Sequence, residues 1–339
     1  MLTYATAAVP AGFIPEPLLR GDTTAHKFFL MFFAVAVFAV IFGAVLFFAS
    51  LFKGREGEKV QGALFAGPAI VLLAVGLMYP AILTIVQSLR GKSGEGSFGL
   101  ENYQQMFTQP ELLLVLRNTA IWVLLVPFLA TAIGLLYAIL IDRSPIESLA
   151  KALVFLPMAI SMVGAGIIWK FVYQYKPTER PQIGLLNQVL KWLGMDTQQF
   201  LIDAPRNTLM LIIVMVWIQA GFAMTVLSAA IKAIPDDIIE AAKLDGVEGL
   251  KMFRYITLPS IRAALVVVLT TIGIGTLKVF DIVRTMTGGQ FDTSVVANEF
   301  YNQSFRYNAP GLGAAMAVLL FILVIPIVGY NIVQMRKER

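Results

Sequence analysis

Apolar and polar positions in this chain segregate into whole segments, with long uncharged runs separated by short charged ones. An α-helix needs about 20 mostly apolar residues to cross a bilayer. Seven runs meet that requirement: residues 28–52, 64–89, 118–141, 152–173, 208–231, 263–283 and 312–335. The pattern therefore predicts an all-α fold, a polytopic membrane protein of about seven transmembrane helices. Pro68, Pro80, Pro127, Pro157 and Pro326 lie within or near these spans, where neighbouring helices can satisfy the backbone groups that proline frees. They read as kinks, with a gating role as the alternative. No heptad, low-complexity tract or strong internal repeat interrupts the pattern.

Composition agrees with a bilayer as the solvent. Of 339 residues, 58% are hydrophobic and 14% charged, outside the range of soluble domains. The formal charge of +5 raises nucleic acid as a partner, but the basic residues form no stripe, so no nucleic acid is expected. Their positions act instead as a topology signal. Lys53, Arg55 and Lys59 fill one loop, Arg143 and Lys151 another, Lys232, Lys243, Lys251, Arg254 and Arg262 a longer one, and Arg336, Lys337 and Arg339 the C-terminus. All four segments fall on one side. That side is expected to be cytoplasmic, with the N-terminus and the loops around 90–117, 174–207 and 284–311 outside. The first run is too long for a signal-peptide core, and acidic as well as basic residues precede it. It reads as an uncleaved anchor in an N-terminal part, 1–60, ahead of a core at 61–339.

Cysteine is absent and His26 is the sole histidine. Disulfides, thiolate nucleophiles and cysteine metal sites are excluded, and a histidine-based metal or triad site is not expected. No catalytic or metal-ligating residue is expected. Gly91-Lys92-Ser93 imitates the end of a phosphate-binding loop, but Val86 stands where the motif needs glycine.

The loop at about 232–262 departs from a plain connector. Pro235 with Asp236 or Asp237 is a helix start, and Glu240, three residues after Asp237, is placed to close an acidic capping box. Gly246 after Asp245 is a helix stop, and Leu258-Pro259 marks the turn into the next span. Two short helices with a turn are predicted, presenting Ala241 and Ala242 for close approach. Leu244, Val247, Leu250 and Phe253 are left needing cover on the aqueous side.

Glu240-Ala241-Ala242, three residues, Gly246, nine residues, Ile256, one residue and Leu258-Pro259 resemble the signature loop of permease subunits in binding-protein-dependent ATP-binding-cassette importers. The likeness extends to Gly67-Pro68, Tyr79-Pro80, Phe98 to Tyr103, Arg117-Asn118-Thr119, Phe280-Asp281 and Thr287-Gly288-Gly289, covering roughly 61–335. Lys278 to Asp281, Gly288 to Gln290 and Ala297 to Glu299 are similar to alpha-glucoside permeases within the sugar-type group. The resemblance implies that the loop is a coupling helix docking into an ATPase subunit, through Glu240, Ala241, Ala242, Asp245, Gly246, Ile256, Leu258 and Pro259. It also implies a second related permease, two cytoplasmic ATPase copies that hold ATP and Mg, an extracytoplasmic solute-binding protein and a carbohydrate solute. This chain itself is expected to bind no cofactor. The usual core of the group has six helices, so the first span is extra.

Polar groups inside spans are costly and point to function or to interhelical hydrogen bonds. Asn118, Ser161, Gln219 and Thr276 are open to either role. Lys278 and Asp281, three apart and on one predicted helical face, either pair (Asp281 with Lys278 or Arg284) or line the path. Lys170 reads as a snorkelling side chain. Two other functions compete. An ion-coupled secondary transporter needs intramembrane carboxylates, for which Asp281 alone comes near, and a membrane enzyme needs a catalytic constellation that is missing.

Overall fold

Backbone N–H and C=O groups find no partners in hydrocarbon, so each long apolar run must satisfy them internally as a helix. The computed structural model describes residues 24–51, 55–142, 144–177 and 180–337, and no strand occurs among them. The N-terminal tail 1–23 and Lys53, Arg143 and Arg339, on which part of the orientation reading rests, lie outside the described residues. The chain divides into two compact units, Met1–Ala81 and Ile82–Arg339.

In the first unit, α1 (Thr24–Leu51) is apolar on all sides, with Phe32, Phe38 and Val40 exposed. A helix hydrophobic all round belongs in lipid. It is followed by α2, which runs Arg55–Leu73, opens into a π turn at Ala74–Met78 and continues as Tyr79–Ser88 into the second unit. Pro80 explains the widening: it lacks the N–H that would reach the carbonyl four residues back, and the Tyr79 amide donates to Ala74 O instead.

The second unit is centred on α4 (Pro110–Ile141) and α8 (Arg206–Lys232), whose facing side chains Trp122, Val126, Ala130, Leu211, Met215 and Met224 are buried. Gly134 lets the two backbones approach, since a Cβ there would meet Ala223, Met224 N and Ala220 O. Gly221 does the same for α5 (Glu147–Phe155), seated against Val154 and Phe155. Small residues at close crossings are the usual packing device between membrane helices. The short α3 (Glu101–Thr108) precedes α4, whose first residue, Pro110, occupies the position that tolerates a missing N–H. The third span thus begins eight residues before the predicted residue 118.

Two predicted spans are broken. The run 152–173 is α5, a 3-10 turn Leu156–Ala159, and α6 (Met162–Val172), with a bend of 102° between the halves. Pro157 disrupts the ladder, Ile160 is extended, and Ser161 starts the second helix by accepting from Gly164 N at 3.0 Å. The run 263–283 ends early: α11 (Arg262–Leu277) stops at Lys278, and α12 (Asp281–Met286) is a separate helix. Among the described residues five helices are long and apolar enough to cross a membrane, or up to seven if each bent pair is one span. The remaining elements are α7 (Leu185–Trp192), α13 (Val296–Tyr301), which runs on into a π turn at Asn302–Arg306, and α14 (Pro310–Lys337).

Candidate functional site

Between α8 and α11 the chain leaves the bundle as a helix, a turn and a second helix. The first, α9 (Asp236–Leu244), carries Asp236 and Asp237 in its first turn and Lys243 in its last, each favourable with the helix dipole. Its N-cap position is Pro235 and makes no side-chain hydrogen bond. The expected capping box is therefore not formed: Asp237 sits inside the first turn, and Glu240 is exposed with no partner among the described residues. Gly246 has φ +73°, its amide donates to Lys243 O at 3.0 Å, and Val247 N donates to Ala242 O at 2.9 Å. This is a Schellman stop that favours glycine.

The return helix α10 (Gly249–Met252) passes through a π turn, Phe253–Thr257, and a last turn, Leu258–Ser260. Pro259 causes this widening as Pro80 does in α2, with Leu258 N donating to Phe253 O. Ala242 is buried, Ile256 and Leu258 are half-buried, and Ala241, Asp245 and Pro259 are exposed. Leu244 is 89% exposed and Leu250 79%, while Val247 and Phe253, also expected to need cover, are half-buried within the unit. Leu244, the last residue of α9, and Leu250, in α10, flank the Gly246 turn and are left uncovered by the rest of the chain.

At the base of this unit lies a charge cluster that the sequence alone did not single out. Lys151 meets Glu147 at 2.7 Å, Asp142 at 3.3 Å and the buried Ser228 hydroxyl. Lys232 meets Asp142 at 3.2 Å and Glu147. The Glu147–Lys151 spacing of four is legible in sequence, but Asp142 and Lys232 lie 90 positions apart. The cluster ties the turn after α4 to the last residue of α8, four positions before α9. A cavity of about 680 Å³ lined by Ile139, Asp142, Lys232, Asp236, Lys243 and Phe253 separates it from the two-helix unit. Asp142→Asn is expected to speed amide exchange over 144–155 by about tenfold, the lower value for hydrogen bonds to a charged group. Hydrogen exchange followed by mass spectrometry checks this.

The polar residues considered for a solute path are mostly engaged internally. Asn118 donates to Asp292 O at 2.6 Å and Ser294 O at 3.0 Å, and the Thr276 hydroxyl donates to Ile272 O at 2.7 Å. Ser161 is the α6 cap. Lys170 donates to Thr285 O at 3.3 Å. Gln219 is half-buried beside Gly275 and has no hydrogen-bond partner among the described residues. The shared face expected for Lys278 and Asp281 does not exist, because the helix ends between them, and no ion pair among the described residues joins them to each other or to Arg284. Arg284 instead donates to Asn302 Oδ1 at 3.1 Å and stacks over Tyr301.

An all-helical, multi-pass bundle that carries an exposed two-helix unit between its last long spans defines the class: a membrane permease subunit. The chain belongs to the family of binding-protein-dependent transport system inner membrane components, whose sequence profile matches residues 112–337. It is 41% identical over 275 residues to the osmoprotective compounds uptake permease protein GgtC of Synechocystis, covering 81% of this chain and 99% of that protein. It is 42% identical over 285 residues to the alpha-glucoside transport system permease protein AglF of Rhizobium meliloti, covering 84% and 85%. The fold is shared with a chain in the crystal structure of a bacterial ABC transporter involved in alginate import, at a TM-score of 0.71 and 22% identity, covering 84% of this chain and 100% of that one.

Proposed function

We propose that this permease subunit is half of the pathway of an ATP-driven importer for a di- or oligosaccharide or glycoside. A second related permease forms the other half, and two cytoplasmic ATPase subunits hold ATP and Mg. An extracytoplasmic binding protein delivers the solute. The observation that carries the coupling role is the α9–α10 unit, which holds Leu244 and Leu250 uncovered on a Gly246 stop. The carbohydrate reading is supported by relatives named for alpha-glucosides, arabinooligosaccharides and lactose. On this reading, closure of the ATPase pair draws the coupling units of the two permeases together, and the spans respond by rigid-body movement that opens the path outward. Reversal of that closure releases solute inward. The basic loops support a cytoplasmic α9–α10 side and an outer N-terminus.

The test is co-purification of the intact chain and of a Glu240→Lys, Gly246→Pro double variant. Proline cannot adopt φ +73° and lacks the amide that bonds Lys243 O. The intact chain is expected to retain an ATPase and a second permease, and the variant to lose only the ATPase. Uptake into vesicles without ATP, by the intact chain alone, would overturn the importer in favour of a secondary transporter.

A further inference from the structure

α4 ends beside Lys151 and Lys232, and at its other end the chain between α12 and α13 lies against it through Asn118 and a shared cavity. Within that turn Phe291 and Asp292 both have left-handed backbones, with φ 56° and 61°. Such conformations are uncommon for residues with side chains and rare for bulky ones. They are held from two spans. Asn207 of α8 donates to Phe291 O at 2.6 Å, and Asn118 of α4 to Asp292 O at 2.6 Å and Ser294 O at 3.0 Å. Both asparagines are buried, and the Thr287 and Thr293 hydroxyls join at 2.6 Å beneath the turn. The bundle thus spends two buried amides on fixing a surface turn.

The turn forms one wall of a cavity of about 690 Å³, into which Gln109, Glu111, Gln290, Phe291, Asp292 and Tyr307 open. The volume falls in the range of small-molecule sites, about 300–1,000 Å³. None of the Gln109, Glu111, Gln290 or Asp292 side chains has a hydrogen-bond partner among the described residues, whereas Glu299 at the cavity wall is already met by Ser294, Asn302 and Gln303. The lining has no Lys, Arg or His, which disfavours an anion. Free carboxylates accept from hydroxyls, carboxamides both donate and accept, and Phe291 and Tyr307, both exposed, offer ring faces to the apolar face of a sugar. We infer that this cavity is an outer subsite for a neutral polyhydroxylated solute, lying before the membrane path and formed by the chain itself. The inference rests on the importer reading, which places this end of the bundle outside.

The complete complex in nanodiscs, carrying Phe291→Trp as a fluorescence reporter, tests it without binding protein. Maltose, sucrose, trehalose and choline are titrated, and ATP-driven uptake of the sugars is measured separately on the same complex reconstituted in vesicles with its binding protein supplied. A saturable response to at least one imported sugar is expected, weakened tenfold or more by Asp292→Asn with Gln290→Ala. Tyr307→Trp serves as a second reporter if the first variant is poorly assembled. A sugar that is imported while both reporters stay silent, or whose signal is unmoved by the double substitution, overturns the subsite and leaves the importer intact. A response to choline equal to that of any sugar overturns the neutral-solute assignment. Absence of both import and signal for all three sugars removes the carbohydrate reading and the subsite together.

Discussion

Gly134→Leu is expected to abolish recovery of folded protein, and Gly134→Ala to reduce it. A Cβ at this position would lie 2.7 Å from Met224 N and 2.9 Å from Ala220 O, besides meeting the Ala223 side chain. Extra methylenes among side chains that can yield cost about 1–3 kcal/mol. Here two of the three obstacles are backbone atoms of α8, which move only if the helices separate. Separation would open the seam that buries Trp122, Met215 and Met224, so the leucine variant should lose more than the upper end of that range. Gly275→Ala is the control, since its nearest neighbour outside its own helix is Gln219 Nε2 at 3.8 Å. Yield of monodisperse protein after detergent extraction reads the difference. Equal recovery of the leucine variant and the control would mean that α4 and α8 are not packed through Gly134.

The seam illustrates what could be read from the sequence. Hydropathy found every long helix because hydrocarbon leaves the backbone no alternative. It did not find which glycines face a neighbour, because Gly134 and Gly275 look alike in a uniformly apolar run. Broken spans were missed for a related reason. Length and apolarity are unchanged by a 102° bend at Leu156–Ser161, and Pro157 reads equally as a gentle kink. Lys278 and Asp281 were misplaced because residue spacing was taken as helical across a helix end.

The helix, turn and return helix of the α9–α10 unit were legible, but not the missing capping box or the π turn before Pro259. Its turn chemistry is local, and Gly246 stops α9 where glycine after a run of helix formers should. The Asp142, Glu147, Lys151 and Lys232 cluster was not, since it joins elements distant in sequence. Asn118 shows the same limit from the other direction. It was singled out correctly as an unusual polar group in an apolar span, but its partners, the carbonyls of Asp292 and Ser294, lie more than 170 residues away.

On the proposed coupling role of the α9–α10 unit, Leu244→Asp combined with Leu250→Asp should release the ATPase while the permease stays folded. These side chains are 89% and 79% exposed, so almost all of their transfer free energy remains available to a partner. Full burial of a leucine side chain contributes about 1.5–3 kcal/mol. Two therefore account for about 3–6 kcal/mol, a hundredfold to ten-thousandfold change in the affinity of the subunits. Since neither leucine is packed within the chain, replacing them removes little of its own stability, and the second permease should still co-purify. Glu240→Gln sets the scale: an exposed ion pair contributes only about 0–1 kcal/mol, so that variant should weaken ATPase retention by less than about tenfold. Retention is measured by quantifying the ATPase that elutes with the permease pair across a dilution series, and uptake should fall in the same order. If the double aspartate variant keeps its ATPase and its transport, docking does not run through Leu244 and Leu250 of the α9–α10 unit, and that part of the proposed function falls.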